Sequence, residues 1–450
     1  MNEAPALDAP RSFVVIGETN LARRVCASLR DGGHTVRHLT QPRDEDLRAA
    51  MSTGPAGIAV LLHEDAAALR YALVAAHMTT RIPIIVTIFD RTMADELLRL
   101  LPQCDVTSPA DLVAPSLAGP CVDATVAALQ HIGPQARAVR TAVSDPCAEL
   151  WKPERIGWRA RLDRLTGQLR PHDAGTRIML AGLAGLLTAL LGDWAWLLKL
   201  GHPPAEALFD AVRVVTTVGP ATAPMHSAAY QMGSSTVMLS TIVFSAMFTA
   251  GVVDRMLGPR LVGLLGPRTV PRSGHVIVVG MGQVGLRLCG ELRRLGVPVV
   301  GVERDPHAPN VRLARSMGIP VVAGHGGDRA VLERLYLKQA RALAAVGSDD
   351  LENIAVAITA QGVSPGTRVV LRAGEHEAIA ETRSLLPLGT IRDVTSLAAA
   401  YVLARLLERP AAGVIAYQHG MFVELPGEGF VAWPLAARQG CSHIDVAVPV

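Results

Sequence analysis

The sequence predicts a multidomain chain: two Rossmann-like α/β domains flank a pair of membrane-spanning helices, and a small α+β lobe follows at the C-terminal end. Three features carry this prediction. An apolar excess is confined to two central segments, a glycine-rich strand-to-helix motif follows them, and a weaker copy of the same alternation precedes them. The 450 residues leave room for about two to four domains. Half of them are hydrophobic, 18% are charged, and the mean hydropathy is +0.29. Soluble domains carry about 25% charged residues, so part of the apolar material belongs somewhere other than an ordinary core. Disordered, collagen-like and disulfide-rich classes are excluded. A net charge of +3 with no long basic run gives no reason to expect a nucleic-acid partner. The cysteines, at 26, 104, 121, 147, 289 and 441, form no C-x-x-C pair, which fits a reducing compartment and argues against a zinc site. The opening residues, Met1 to Ser12, are polar and acidic and predict no secretory signal.

The apolar excess lies in the middle. Ile178 to Leu198 spans 21 residues with one charge, Asp193, and Ser227 to Val253 spans 27 with none. About 20 apolar residues cross a bilayer as a helix, so transmembrane helices are expected at 178–198 and 231–253. Asp193 lies toward the far end of the first, where an interface tolerates a charge. Trp194, Trp196 and Lys199 follow as an interfacial belt. Seven basic residues lie between Trp151 and Arg177 and four from Arg255 to Arg272, whereas the connecting loop carries only Lys199 and Arg213. The positive-inside rule then places both termini in the cytoplasm, in a multi-pass protein of the cell membrane. Within 151–177, Trp158, Leu162, Leu165 and Leu169 recur at helical spacing. That pattern fits an amphipathic helix on the inner membrane surface and a solvated linker equally well.

Beyond a proline-containing linker at 257–273, residues 274–400 read as a Rossmann domain. His275 to Val279 is a buried-type strand that runs into Gly280-Met281-Gly282-Gln283-Val284-Gly285 and a helix over Leu286–Leu295. A second strand, Val297 to Val302, ends at Glu303, 18 residues past the last glycine, with Arg304 next. In this setting the first glycine makes the tight turn, the second admits a pyrophosphate to the backbone, and the third lets helix pack on strand. The helix N-terminus faces the phosphates, and Glu303 can accept hydrogen bonds from a ribose. Strands at Val321-Val322, Ala342–Val346 and Val369–Leu371 alternate with helices at Arg329–Leu335 and Leu351–Ala360, the pattern of a parallel sheet. Residues 401–450, with short strands and Pro and Gly turns, form the terminal lobe.

Residues 1–150 repeat the theme. A strand at Ser12–Ile16 leads through Gly17 into a helix ending at Leu29, with further strands from Thr35, at Gly57–Leu62 and at Ile82–Ile88. Only Gly17 remains of the glycine pattern, and the second strand ends in His38-Leu39-Thr40 without an acid. This half is expected to have lost its nucleotide and to serve packing or assembly.

Two spans with a re-entrant segment between them, followed by the glycine motif, resemble the prokaryotic potassium channels gated by RCK (regulator of K+ conductance, TrkA-N-like) domains. The resemblance covers most of the chain. Ala205–Val215 resembles the pore helix, and Thr216-Thr217-Val218-Gly219-Pro220-Ala221 resembles the selectivity filter. Ser348–Ala355 is similar to the segment after the fourth RCK strand, with its asparagine at the helix start. Leu61–Asp65 and Asp90–Ala94 are similar to parts of a second RCK domain. The resemblance implies a pore domain over 178–256 with its pore loop at 203–224. A filter of backbone carbonyls replaces the hydration shell of an ion. Thr217, Val218 and Gly219 match the family's T-V-G, but Pro220 and Ala221 depart from the Y-G that follows it, and Thr222 stands where an acid is usual. Arg213 adds a positive charge to the pore helix unless it pairs with Asp210, Glu206 or Asp193. Gly324-His325 replaces the family's Gly-Asp after the third strand.

The family implies a homotetramer in the lipid bilayer that conducts potassium or a less selective range of cations. It also implies control by NAD(H) or another adenine nucleotide held at Gly280, Met281, Gly282, Gln283, Val284, Gly285, Glu303 and Arg304, and it implies no catalysis. Two other readings stand beside it. Pro220, Ala221 and Arg213 suit a non-conducting nucleotide sensor or scaffold. A membrane-anchored NAD(P)-dependent oxidoreductase is the other, against which no Tyr-x-x-x-Lys or comparable catalytic set accompanies the fold. His325 with Asp328 offers two potential ligands, too few for a metal site.

Overall fold

The computed structural model describes residues 9–79, 82–133, 135–141, 146–152, 174–219, 228–257, 270–374, 389–417 and 420–433. The chain forms two compact units, one from Met1–Asp163 with Val270–Val450 and the other from Arg164–Thr269. Most of the basic segment expected at 151–177, the filter positions Pro220 and Ala221 with Thr222, most of the linker and the end of the terminal lobe lie outside the described residues.

The first half alternates β1 (Ser12–Ile16), α1 (Asn20–Asp31), β2 (Thr35–Leu39), α2 (Asp44–Met51), β3 (Gly57–Val60), α3 (Asp65–Met78), β4 (Ile84–Thr87), α4 (Arg91–Leu100), β5 (Cys104–Thr107) and α5 (Pro109–Val122). Its strands are parallel in the order β2-β1-β3-β4-β5. β3 and β4 are buried along their whole length, as parallel strands covered by helices on both faces must be. A three-stranded antiparallel sheet follows, β6 (Val126–Ile132), β7 (Gln135–Thr141) and β8 (Pro146–Trp151).

The membrane unit holds α6 (Ala174–Lys199), α7 (Pro204–Val215) and α8 (Ala228–Leu257). α6 and α8 are each long and apolar enough to cross a membrane. Both overrun the spans expected at 178–198 and 231–253, because helical hydrogen bonding continues past the end of an apolar run. Small residues bring the two together. A Cβ on Gly182 would lie 2.6 Å from the Phe244 carbonyl oxygen, and one on Gly251 would lie 2.6 Å from Met179 Cβ. Such close approach is the main source of helix association in lipid. Ser235, Thr236 and Ser240 on α8 donate to the carbonyls of Gln231, Met232 and Thr236 at 2.7, 2.9 and 2.8 Å, which satisfies these hydroxyls within the helix.

The second half comprises β9 (Val276–Val279), α9 (Gln283–Arg294), β10 (Val299–Glu303), α10 (Pro309–Ser316), β11 (Val321–Ala323), α11 (Arg329–Arg334), β12 (Ala342–Ala345), α12 (Asp350–Val363), β13 (Arg368–Ala373), β14 (Thr390–Asp393) and α13 (Val394–Leu406). Its parallel sheet has the order β11-β10-β9-β12-β13-β14. An antiparallel sheet again follows, β15 (Gly413–Tyr417), β16 (Gly420–Leu425) and β17 (Gly429–Trp433). The helix after the glycine motif begins at Gln283 rather than Leu286, because Gly282 is its N-cap and the last motif residues form its first turn. In the described part of the lobe expected as α+β from residue 401, residues 401–406 are the end of α13 and the strands β15–β17 follow. α13 crosses residue 400 and packs into the Rossmann body instead, because its apolar face is needed there.

The internal repeat therefore extends beyond the glycine motif: α1 corresponds to α9, α5 to α13, and β6–β8 to β15–β17. The halves exchange helices. α5 packs against α9, α13 packs against α1, and α5 meets α13. Phe13, Val15, Ala59, Leu61 and Ile85 of the first sheet share a core with Ala398, Ala399, Val402, Leu403 and Leu406 of α13. The regions at 1–150 and 274–400 thus form one body. Proline shapes the exchanged helix. Pro120 has no N–H, which leaves the Ser116 carbonyl without its helical donor. Arg392 Nε donates to that carbonyl at 3.1 Å. Arg368 Nη1 donates to the Pro120 and Cys121 carbonyls at 3.2 and 3.4 Å, a cation at the negative end of the helix dipole.

Candidate functional site

The β-to-α loops of the two halves enclose a cavity of about 460 Å³. Thr19, Asn20, His63, Phe89 and Pro109 line it from the first half, and Gly280, Gly282, Glu303, Gly324 and Gly347 line it from the second. Ligands of open α/β folds bind at this carboxyl end of the strands, where helix N-termini gather.

The glycine loop has three distinct positions. Gly280 has φ +92°, and a Cβ there would lie 2.7 Å from the Gly347 nitrogen, so handedness and space both demand glycine. Gly285 packs onto the Gly280 carbonyl. A Cβ on Gly282 would meet nothing within 4 Å, and what lies beside it is the cavity. Gly282 supplies no side-chain cap to α9. Uncapped N–H groups opening on a cavity suit an anion, so this cradle fits the phosphates of a nucleotide. Gln283 and Val284 line the same space, and Met281 is buried against Gly301.

Glu303 ends β10 beside the loop. Its Oε2 accepts from the Met281 N–H at 2.8 Å, and its Oε1 accepts from the Arg304 and Asp305 N–H groups at 2.8 and 3.2 Å. The carboxylate braces the loop and keeps lone pairs for further donors. Arg304 lies at the rim with Nη1 3.7 Å from Glu352 Oε1, and His325 Nε2 is 3.1 Å from the same oxygen. Glu352, on the first turn of α12, thus brings an acid to the corner where His325 had replaced one. Sequence reasoning passed over it, although it stands inside the Ser348–Ala355 motif. Asn353 clamps the neighbouring loop: its Oδ1 accepts from the Gly347 N–H at 2.9 Å, and its Nδ2 donates to the Gly347 and Arg372 carbonyls at 3.1 and 3.3 Å. Asp328 instead caps α11 by accepting from the Ala330 N–H.

In the first half, side chains occupy the matching positions. Thr19 stands where the second half has Gly282. Its hydroxyl donates to the Leu61 carbonyl at 3.0 Å and accepts from the Ala22 N–H at 3.1 Å, which closes the start of α1. His38 Nε2 lies 2.6 Å from the Gly17 carbonyl oxygen, and Thr40 takes the place of Glu303.

Two groups of titratable side chains serve packing. Burial pushes the thiols of Cys26 and Cys104 up to about 11 and that of Cys121 up to about 12. His275, at the foot of β9, is fully buried, and desolvation lowers its pKa to about 4 while Nε2 lies 2.9 Å from the Leu335 carbonyl oxygen.

In the membrane unit, Thr216, Thr217, Val218 and Gly219 follow α7. The Thr217 N–H donates to the Val214 carbonyl at 3.0 Å and the Val218 N–H donates to the Arg213 carbonyl at 2.9 Å, with Thr217 at φ +61° and Gly219 at φ +86°. This is a Schellman-type helix end with a β-branched residue in the left-handed position, where such residues are uncommon. The Arg213 guanidinium lies over the Phe209 ring at 5.8 Å, while Asp193 and Asp210 are both buried.

The fold and the glycine loop define a Rossmann domain of the TrkA-N class, and residues 276–388 match the TrkA-N domain. Several of the relatives carry the names of potassium transport proteins. The Trk system potassium uptake protein TrkA of Streptomyces coelicolor is 37% identical over 87 residues, 19% of this chain and 39% of that protein. Potassium channel protein 1 of Methanocaldococcus jannaschii is 23% identical over 101 residues, 22% of this chain and 30% of that one. The chain therefore spans less than half the length of these relatives. Among solved structures, the GsuK channel bound to NAD aligns with 90% of this chain and 65% of its own at 15% identity, with a TM-score of 0.49. The resemblance to potassium channel proteins with RCK domains is borne out as homology.

Proposed function

We propose that the chain is a subunit of a homotetrameric potassium-conducting channel whose conduction is set by a nucleotide bound in its Rossmann body. One coincidence carries the reading: a TrkA-N glycine loop opens on a cavity in the same chain that has two membrane-length helices bracketing a short helix followed by Thr217-Val218-Gly219. NAD(H) or another adenine nucleotide would place its pyrophosphate at Gly282 and the first turn of α9 and its ribose at Glu303, with Arg304 at the rim. Four copies would supply the ring of carbonyls that a filter needs. A chain that leaves a folded body, crosses a bilayer and returns to the same body crosses it an even number of times. That supports both termini on one side, and the arginine distribution supports the cytoplasm as that side. The nucleotide gates by binding one arrangement of the body better than another.

Rb+ flux into liposomes holding the purified protein tests this. Flux that changes with added NADH or ADP, and no longer changes in Gly282→Val, is the expected result. No Rb+ flux with or without nucleotide refutes conduction. A second reading, a non-conducting nucleotide sensor, draws support from the folded-back end of α7 and from Arg213, and it expects nucleotide binding without flux.

A further inference from the structure

Among the helix N-termini that meet the cavity, four fall into two pairs. α9 packs with α5 on one side, and α1 packs with α13 on the other. Gln283, Pro109, Asn20 and Thr395, one from the first turn of each, all line the space. The α1 and α13 ends are closed by their own side chains: Thr19 accepts from the Ala22 N–H at 3.1 Å, and Asp393 accepts from the Ser396 N–H at 2.9 Å. The α9 and α5 ends have no side-chain cap. At α9 the N-cap is Gly282, with open space beside it. At α5 the N-cap is Ser108, which is only 6% exposed and whose hydroxyl has no hydrogen-bond partner among the described residues.

The repeat makes these differences comparable. Gly282 corresponds to Thr19, and Ser108 corresponds to Asp393. Each half therefore lacks one of its two caps, and because the halves exchange helices, both uncapped ends belong to the same packed pair. The acid at the start of α5 does not block that side. Asp111, in the first turn of α5, is already paired with Arg91 at 2.9 Å and Arg287 at 3.2 Å. Each open helix end carries about half a positive charge, so the α9–α5 side attracts an anion that the α1–α13 side has replaced with its own oxygens.

We propose that each chain binds a single nucleotide in a site built by both halves. The phosphates lie between the N-termini of α9 and α5, Ser108 donates its hydroxyl to them, and the α1–α13 side holds none. This rests on the nucleotide reading above and adds to it the stoichiometry and the part played by the first half.

Full-length protein in detergent, titrated with NADH and with ADP by calorimetry, tests it. One site per chain is expected. Ser108→Asp gives α5 the cap that Asp393 gives α13 and sets a charge against the phosphates, so affinity falls about tenfold or more. Ser108→Asn closes the same end without a charge and gives a smaller loss in the same direction. Asp393→Asn, on the closed side, leaves affinity and stoichiometry unchanged. Thermal unfolding without nucleotide establishes that each variant is folded, and if a Ser108 variant is not, the wild-type stoichiometry decides. Two sites per chain, or wild-type affinity in folded Ser108 variants, overturns the composite site while binding that is lost in Gly282→Val still stands. Absence of binding by NADH, NAD+ and ADP alike overturns both.

Discussion

Arg287 of α9 reaches across to the first half, with Nε 3.2 Å from Asp111 Oδ1 and Nη2 donating to the Phe89 carbonyl at 2.7 Å. Its side chain is 13% exposed, and burial lowers its pKa while the Asp111 charge works the other way. One guanidinium thus fastens a loop and the start of α5 in one half to a helix of the other.

Replacing Arg287 by methionine keeps most of the stem but leaves the Phe89 carbonyl unpaired and Asp111 with Arg91 alone. A loss of about 1–3 kcal/mol is expected, read as a lower urea midpoint with an unchanged slope. Arg287→Lys should lose nearly as much, because an ammonium cannot span the same two acceptors.

The glycine loop separates folding from binding. Gly280→Ala meets Gly347 and an unfavourable φ, so it should destabilise the body itself by about 1–3 kcal/mol. Gly282→Val projects into open space from an extended backbone. Its unfolding temperature without nucleotide should match the wild type, while the rise on adding NADH disappears. A large loss of stability in Gly282→Val would show that the space beside it is not open.

His275 makes stability depend on pH. Its pKa of about 4 in the fold lies below the ordinary histidine value of 6.5, so between these values the unfolded chain binds more protons than the folded one. Its contribution is complete above pH 6.5 and is lost as the pH falls toward 4, by about 3 kcal/mol in all. Urea unfolding at pH 7.5 and pH 5 checks this, and His275→Leu should flatten the dependence between them.

In the membrane unit, Gly182→Val sets methyl groups against the α8 backbone near Phe244 and Phe248. The α6–α8 pair must then separate, which should lower the unfolding temperature in detergent. Gly192→Val, whose Cβ meets nothing within 4 Å, is the matched control and should not.

The glycine loop and the strands beside it were legible because their signal is local: tight turn, apolar strand, helix start and acid all fall between His275 and Glu303. The membrane helices were legible from length and charge alone. The helix exchange was not, because an amphipathic pattern does not say which sheet a helix covers. β6–β8 were missed for a different reason. β8 is largely exposed and carries too little apolar alternation to register as a strand. Glu352 and Ser108 acquire meaning only from what faces them in space, and Ser108 acquires it only when the two halves are aligned through the repeat.

The exchange of α13 has a consequence for how the protein is made. Arg405 of α13 pairs with Asp105 of the first half, 300 residues earlier in the chain. At about 5–20 residues per second, that distance takes roughly 15–60 s to translate. Throughout that time the sheet face carrying Phe13, Val15, Leu61 and Ile85 is covered only in part by its own half, through Ala22, Val25 and Leu29 of α1. The first half must wait, partly open, while the apolar hairpin is synthesised and the second half emerges. A ribosome that stalls before Leu406 leaves a fragment whose first-half sheet lacks the cover of α13, a natural target for chaperones and proteases.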